Sequence, residues 1–199
     1  MERSEMMKRW TAALLAAAIM MLPVAGCTKQ QQQSGQTGAN MASLGSGTGM
    51  VAGIRWSLPK RWTEQGQRPM RVATYSIPAA EGDPEAGECA VFFFGSNQGG
   101  TVEQNIERWV SQFETTGVPT RSDRTVNGMK VSLVQVAGAY LAPAGPQMQS
   151  TGKKENFRLL GAIVEGPEGL VFYKFTGPAK TVTEAEGEFN AMVESLTKG

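Results

Sequence analysis

Few side chains in this sequence are placed to do chemistry, and the densest group is a run of carboxylates within eight residues. These are Glu81, Asp83, Glu85 and Glu88. Oxygen ligands clustered on a loop could hold Ca²⁺, which takes about 6–8 of them. However, the spacing matches no EF-hand loop, and Pro84 limits how closely the carboxylates can approach one another. A solvated acidic loop is therefore the better interpretation.

A glycine-rich turn from Gly95 to Thr101 leads from a strand-like run into a helix-like one. Backbone N–H groups at the start of a helix can hold an anion. A Walker loop requires a lysine immediately before the threonine, and Gly100 stands at that position. The pattern therefore favours a capped turn over a nucleotide site, and a site for a small anion or carboxylate stays open as the alternative.

The chain has no histidine, so the usual general base of nucleophilic catalysis is absent. Histidine is the commonest general base and the commonest metal ligand. Ser-x-x-Lys occurs at Ser57 with Lys60 and at Ser150 with Lys153, but without the Ser-Asp-Asn and Lys-Thr-Gly motifs of penicillin-recognising enzymes. We therefore expect no catalytic residues, no cofactor and no metal, although a carboxylate pair of the glycosidase type stays open.

The first 27 residues carry the clearest functional signal. Lys8 and Arg9 precede an apolar run from Trp10 to Met21. That run is shorter than the roughly 20 residues of a spanning helix and is typical of a cleavable signal. The segment Leu22-Pro-Val-Ala-Gly-Cys27 follows it and resembles the lipobox of bacterial lipoproteins. This resemblance implies that residues 1–26 are removed and that Cys27 is lipidated and becomes the new N-terminus.

Lipidation would decide where the protein is found. Two or more acyl chains give a stable membrane anchor, whereas one binds reversibly. We therefore predict a bacterial protein anchored to the cell membrane or the outer membrane, with its domain outside the cytoplasm. Thr28 follows the cysteine, where enteric-type sorting uses Asp to retain a lipoprotein in the inner membrane, so this resemblance leans toward the outer membrane.

The composition of the chain after residue 26 predicts a tether followed by a single domain, and its net charge argues against binding to nucleic acid. Removal of residues 1–26 leaves 16 basic and 16 acidic side chains, and a neutral chain without a basic run has no footprint for nucleic acid. Residues 27–50, rich in Gln, Gly and Ser, cannot bury enough apolar surface to fold. They predict a flexible tether with a span of roughly 25–30 Å. Residues 51–199 have the commonest size for a single domain.

The strongest element in this domain is a helix that begins after Thr101. Thr101 and Gln104 form a capping-box pattern, and an apolar stripe containing Trp109 extends to Phe113. Gly117 is expected to end this helix. A second capping box, Thr183 with Glu186, predicts a closing helix whose apolar stripe is Phe189, Met192, Val193 and Leu196.

Strand-like runs account for most of the remainder. They are 51–58, 70–77, a fully covered central strand at 89–94, a hairpin of 121–126 and 129–141 around Asn127-Gly128, and a second hairpin of 157–164 and 170–176. Residues 142–156 are expected to form a long polar loop, and Cys89 to be a small core residue rather than a reactive thiol.

The order of these elements predicts an α+β domain, with a mainly antiparallel sheet of about six or seven strands flanked by two amphipathic helices. The early Trp56-Ser-Leu-Pro-Lys-Arg-Trp62 segment, the central helix, the paired strands and Phe175-Thr-Gly-Pro178 before the last helix resemble the PsbP-like α/β/α fold. Members of that fold are mostly assembly factors, docking modules and lipoproteins, and the resemblance implies no catalytic residue.

An interaction surface is predicted at Trp56, Arg61 and Trp62, which flank a proline-containing turn and belong to types enriched at protein interfaces. The predicted function is that of a membrane-anchored envelope lipoprotein that binds or positions another envelope protein without catalysis. The alternative is a binder of a small apolar or cell-wall-derived ligand, and the third possibility is a hydrolase. An enclosed cavity, a flat aromatic patch or converging carboxylates would distinguish the three.

Overall fold

A computed structural model describes residues 47–144 and 149–199 of the 199-residue chain. The predicted signal peptide, the lipidated Cys27 and almost all of the tether therefore lie outside the described residues. The first strand begins at Thr48, three residues before the domain boundary expected at Val51. Among the described residues, no helix has the length and apolar character needed to cross a membrane.

The described residues form eleven strands in two antiparallel sheets, together with three helices. The strands are β1 (Thr48–Val51), β2 (Ile54–Ser57), β3 (Thr63–Glu64), β4 (Ala73–Ile77), β5 (Gly87–Phe93), β6 (Phe113–Thr115), β7 (Thr120–Val126), β8 (Met129–Ala144), β9 (Gln149–Gly166), β10 (Gly169–Pro178) and β11 (Thr197–Lys198). The helices are α1 (Val102–Val110), α2 (Ala179–Glu184) and α3 (Glu186–Glu194). The predicted α+β class is confirmed, with more strands and one more helix than expected.

The larger sheet has eight strands in the order β3-β4-β5-β10-β9-β8-β6, with β7 also paired to β8. Both predicted hairpins lie in it, as β7–β8 and β9–β10. Asn127 and Gly128 both have positive φ, 46° and 76°, as a two-residue hairpin turn requires. The sequence signal therefore placed this turn correctly.

The long polar loop expected at residues 142–156 is wrong. Strand β8 continues to Ala144 and β9 already begins at Gln149, so the two pair well beyond the apolar part of the hairpin. Ladder hydrogen bonds join backbone groups and need no apolar side chains, so a polar sequence can still form this extension. Register shifts after Gly138 and Leu141 accommodate the irregular sequence.

The smaller sheet has the order β1-β2-β11. The single strand expected over Val51–Leu58 is instead part of a hairpin, because Ala52 and Gly53 turn the chain with φ of 51° and 69°. The C-terminal strand β11 pairs with the other edge of β2. Strand β4 likewise starts later than the expected Met70, which has φ of 63°.

Helix α1 begins as predicted, with both hydrogen bonds of the Thr101–Gln104 capping box present. Its predicted end at Gly117 is wrong, because the helix stops at Val110 and Phe113 enters strand β6. Phe113 is opposite Tyr140 in the ladder with β8, so sheet pairing overrides the continuing helical pattern. Residues that were expected to form the last part of the helix therefore form the edge strand β6.

The closing helix is divided into α2 and α3 at Ala185. The second capping box is wrong, because the Thr183 hydroxyl donates to the carbonyl of Ala179 within α2. The predicted apolar stripe is nevertheless buried, and it consists of Phe189, Met192, Val193 and Leu196. Burial of these side chains therefore holds α3 in place without a side-chain cap.

The large sheet has two faces, which we call closed and open. The closed face carries Tyr75, Cys89, Val91, Tyr173 and Phe175, and it forms one core cluster with α3 and the small sheet. The open face carries Ala90, Phe92, Gly161, Phe172 and Lys174, and it packs against α1. The expected full coverage of central strand β5 is wrong, because Phe92 on the open side and Phe93 at the end of the closed side are both partly exposed, while Cys89 and Val91 are buried.

Candidate functional site

A cleft of about 1130 Å³ lies on the open face beside α1. Helix α1 has nine residues and is about 14 Å long, so it cannot cover an eight-stranded sheet. Its apolar side chains pack on the part formed by β8 and β9. The part over β4, β5 and β10 is left uncovered and becomes the floor of the cleft.

The register of the sheet places Lys174 at the centre of this floor. Its neighbours across the strands are Ala90 on β5 and Gly161 on β9, so small residues flank the lysine on both sides. A Cβ atom on Gly161 would lie 2.5 Å from Cζ3 of Trp109. The absence of a side chain at Gly161 therefore lets the Trp109 ring lie directly on the sheet, where it forms a wall of the cleft.

The ammonium group of Lys174 is largely buried and has only neutral partners among the described residues. It donates to Oε1 of Gln112 at 2.5 Å and to Oη of Tyr140 at 3.4 Å. The pKa of Lys174 is lowered to about 8, mainly because the ammonium group is buried; the charges of Arg71 and Arg108 contribute to this lowering and the charge of Glu88 opposes it. The floor of the cleft thus holds a cation without a direct counterion.

Two arginines share the nearest carboxylate. Arg71 donates to Oε1 of Glu88 at 2.7 Å and Arg68 donates to Oε2 at 2.8 Å. Arg108 donates to Oδ1 of Asn105 and has no carboxylate partner within residues 47–144 and 149–199. Because the one charge of Glu88 is shared by two arginines and Glu85 pairs with Lys154, Lys174 and Arg108 are the cleft cations without an ion pair among the described residues.

Aromatic rings form the apolar walls. Phe92 stacks on Phe94 with centroids 6.0 Å apart, and Phe94 lies 5.7 Å from Phe172. On the other side Tyr140 stacks on Phe157 at 5.8 Å. The cleft therefore combines five basic and two acidic side chains with several rings, and its basic members are Arg68, Arg71, Arg108, Lys154 and Lys174.

The glycine-rich turn borders the cleft as a capped turn. Asn105, which is buried, donates through Nδ2 to the carbonyl oxygens of Gly99 and Thr101 at 2.8 Å each. The backbone N–H groups of Thr101 and Gln104 are taken by the capping box. The capping box therefore takes two of the backbone N–H groups that this turn could offer to an anion.

The predicted exposure of Trp56 and Trp62 is wrong, since only 1% and 4% of their surfaces are accessible. Trp56 donates to Oη of Tyr75 at 3.2 Å within the closed-face core. Trp62 donates to Oε2 of Glu188 at 2.8 Å, and Arg61 donates to Oε1 of the same carboxylate at 2.6 Å. These two hydrogen bonds hold the segment against α3. Because both indole rings are buried, they offer no exposed aromatic surface to a partner.

The four acidic residues do not converge. Glu85 accepts from Lys154 at 2.7 and 2.8 Å, while Asp83 accepts from both the backbone N–H and the hydroxyl of Thr181. No group of three or more potential metal ligands occurs among the described residues. Cys89 is fully buried, as predicted, and burial raises the pKa of its thiol.

Lys174, Arg71 and Arg108 were not predicted from the sequence to form a group. One signal was present: Lys174 and Thr176 interrupt an otherwise apolar run at alternate positions, after Phe172. Alternate positions share one face of a strand, so this pattern indicates an incompletely covered face of β10. The arginines come from a loop and a helix distant in sequence, and no spacing rule brings them to the same strand.

No family model and no curated protein sequence matches the chain. Among solved structures, it is similar to a Pseudomonas aeruginosa protein of unknown function, with 13% identity, a TM-score of 0.46, and coverage of 72% of this chain and 90% of that one. It is also similar to cyanobacterial PsbP from Synechocystis, with 11% identity, a TM-score of 0.46, and coverage of 83% and 100%. Similarity this low carries no argument about activity, so the fold class rests on the strand pairing described above.

Proposed function

We propose that this chain is a lipid-anchored, non-enzymatic binding protein of the bacterial envelope whose open-face cleft takes a small ligand. The observation that carries the proposal is the cleft itself. It is concave, and both aromatic rings and several cationic side chains line it, as in ligand sites generally. Protein docking through Trp56 and Trp62 required exposed rings, so their burial favours the small-ligand alternative.

The anchor is supported by the lipobox-like segment that ends at Cys27. Cells expressing Cys27→Ser and grown with labelled palmitate should yield an unlabelled, unprocessed protein. Cys89→Ala is the matched control, because it removes the other cysteine and should leave labelling intact. Label on the Cys27→Ser protein would contradict the anchor.

Ligand binding to the cleft can be tested by thermal unfolding, because a ligand that binds only the folded state stabilises it. Lipid extracts and muropeptide extracts should be added separately, so that the responsible fraction is identified. A ligand at 100 times its Kd contributes about 2.7 kcal/mol. For a domain of this size, that would raise Tm by about 5–10 °C.

The variants assign the effect to the cleft. Phe92→Ala removes part of an aromatic wall and should reduce the rise in Tm. Val118→Ala changes a side chain that is 94% exposed and does not line the cleft, and it should behave like the parent. A parent protein whose Tm is unchanged by either extract would contradict the proposed function.

A further inference from the structure

We infer that the ligand is a free amphiphilic anion, with its acidic head group beside Lys174 and Arg108 and its apolar body against Phe92, Phe94 and Phe172. The inference rests on the proposed function and deepens it by naming the chemistry of the ligand.

The cleft is lined by more basic than acidic side chains, so its net charge is positive. Lys174 is largely buried and hydrogen-bonds to two neutral groups, while Arg108 has no ion pair among the described residues. Glu88 supplies a single negative charge, and Arg68 and Arg71 already share it. A desolvated cation without a counterion is unfavourable, so an anion at this position would be bound by charge complementarity.

The apolar walls begin next to that charge. On β10 Phe172 lies two residues from Lys174, and on β5 Phe92 lies two residues from Ala90, so the rings and the ammonium occupy the same face. Arg71 lies over the Phe92 ring with its guanidinium carbon 5.8 Å from the centroid. A ligand that places its head group at Lys174 therefore extends its body directly over phenyl rings, so a molecule with both an anionic head group and an apolar body uses both features of the cleft.

The position of Lys174 on the floor of the cleft favours a free ligand molecule over a membrane surface. The cleft of about 1130 Å³ is slightly larger than the range of about 300–1000 Å³ typical of small-molecule sites. A flat bilayer surface would meet the exposed rim first, and it could not place a head group on the floor without releasing a lipid. The inferred occupant is therefore a single amphiphile in solution.

The test compares ligands of one chain length and different charge by calorimetric titration at pH 7. Octanoate, 1-octanol and octyltrimethylammonium are titrated into the full chain carrying Cys27→Ser, which keeps it free of lipid. We expect octanoate to bind about tenfold or more tightly than octanol, because hydrogen bonds to charged groups contribute about 1.5–3 kcal/mol, and each 1.4 kcal/mol is tenfold. Octyltrimethylammonium should bind most weakly.

Three variants assign the charge preference. Lys174→Met, and independently Arg108→Met on the exposed side of α1, should lower octanoate affinity by about tenfold and leave octanol affinity near that of the parent. Lys130→Met removes an exposed lysine outside the cleft and should change neither. The Arg108 variant keeps the test decisive if Lys174→Met does not fold.

Each remaining outcome overturns a different statement. Equal binding of octanoate and octanol by the parent would overturn the anionic head group and leave the cleft as an apolar binding site. Binding to phosphatidylglycerol vesicles without binding to octanoate would overturn the free amphiphile. If muropeptide extracts stabilise the parent but no octyl compound binds, the inferred ligand class is wrong and the proposed function stands. If no extract, vesicle or octyl compound has any effect, the inferred ligand class and the proposed function are both wrong.

Discussion

The two faces of the large sheet carry side chains from the same strands, but they differ in how far other elements cover them. On β10, Tyr173 and Phe175 point into the closed face and are fully buried. Phe172, Lys174 and Thr176 alternate with them on the open face and line the cleft. The closed face is covered by α3 and the small sheet, whereas the open face has a single nine-residue helix.

Coverage of a sheet face by other elements, rather than the composition of its strands, therefore decides where a site can form. A fully covered face admits only side chains that pack, because an unpaired buried charge is strongly unfavourable. A partly covered face keeps access to solvent, so it tolerates a lysine among aromatic rings. The same strand can therefore stabilise the fold with one set of residues and bind a ligand with the alternate set.

The largest expected effect comes from truncating one ring on each face. Phe175→Ala on the closed face should lower the free energy of unfolding by about 3–5 kcal/mol, because it leaves a cavity in a fully buried core. Phe92→Ala on the open face should cost about 1 kcal/mol, since that ring is partly exposed and loses less burial. Urea unfolding of both variants measures the difference, and equal losses would remove the distinction between the faces.

A smaller effect is expected where α1 contacts the open face. Gly161→Ala places a methyl group 2.5 Å from the Trp109 ring and 2.8 Å from Cγ1 of Val134, so overpacking should cost about 1–3 kcal/mol. Gly187→Ala is the matched control, because no atom lies within 4 Å of its added Cβ. That helical substitution should be neutral or stabilising. If the two variants unfold alike, α1 does not press on the sheet as described.

Lys174→Met should stabilise the protein at pH 7 by about 1–3 kcal/mol, since it replaces a desolvated cation by an apolar side chain. The folded-state pKa of about 8 lies below the ordinary value of 10.5. The unfavourable charging is therefore fully present below pH 8 and disappears as pH rises toward 10.5. The advantage of the variant should shrink over the same interval in denaturant titrations, and a constant advantage would contradict this origin.

The smallest effect belongs to the surface pair that holds the Trp62 segment to α3. The side chains of Arg61 and Glu188 are 37% and 32% exposed, and exposed ion pairs contribute about 0–1 kcal/mol. Arg61→Ala should therefore change the midpoint of urea unfolding only slightly. A loss above about 2 kcal/mol would show that this contact, rather than burial of the indole rings, fixes the segment.

The sequence predicted elements whose signals are local. The Thr101 capping box, the Asn127-Gly128 turn and the burial of Trp109 and Cys89 were all predicted correctly, because each depends on neighbouring residues or on a simple periodic pattern. Phe113 was misplaced because its β-ladder with Tyr140 depends on a strand about 27 residues away. Local periodicity cannot report such a competition between helix and sheet.

The site was harder to predict than the fold. Trp56 and Trp62 have the residue types of an interface, yet residue type does not determine exposure, and tertiary contacts with Tyr75 and Glu188 buried both rings. Lys174 became central because Gly161 lets Trp109 close one side of the cleft. That arrangement needs the cross-strand register, which a single sequence does not supply.

The pairing of β2 with the C-terminal strand β11 has a consequence for how the chain folds. Ser57 donates its backbone N–H to the Ser195 hydroxyl across 138 residues, and Arg55 lies opposite Thr197. Synthesis proceeds from the N-terminus, so β2 emerges long before its second neighbour exists, and contacts this distant in sequence form slowly. Until β11 is made, one edge of β2 stays unpaired and open to other chains. The β1–β2 hairpin is thus made well before its last neighbour, and a chain that lacks β11 would carry an aggregation-prone edge.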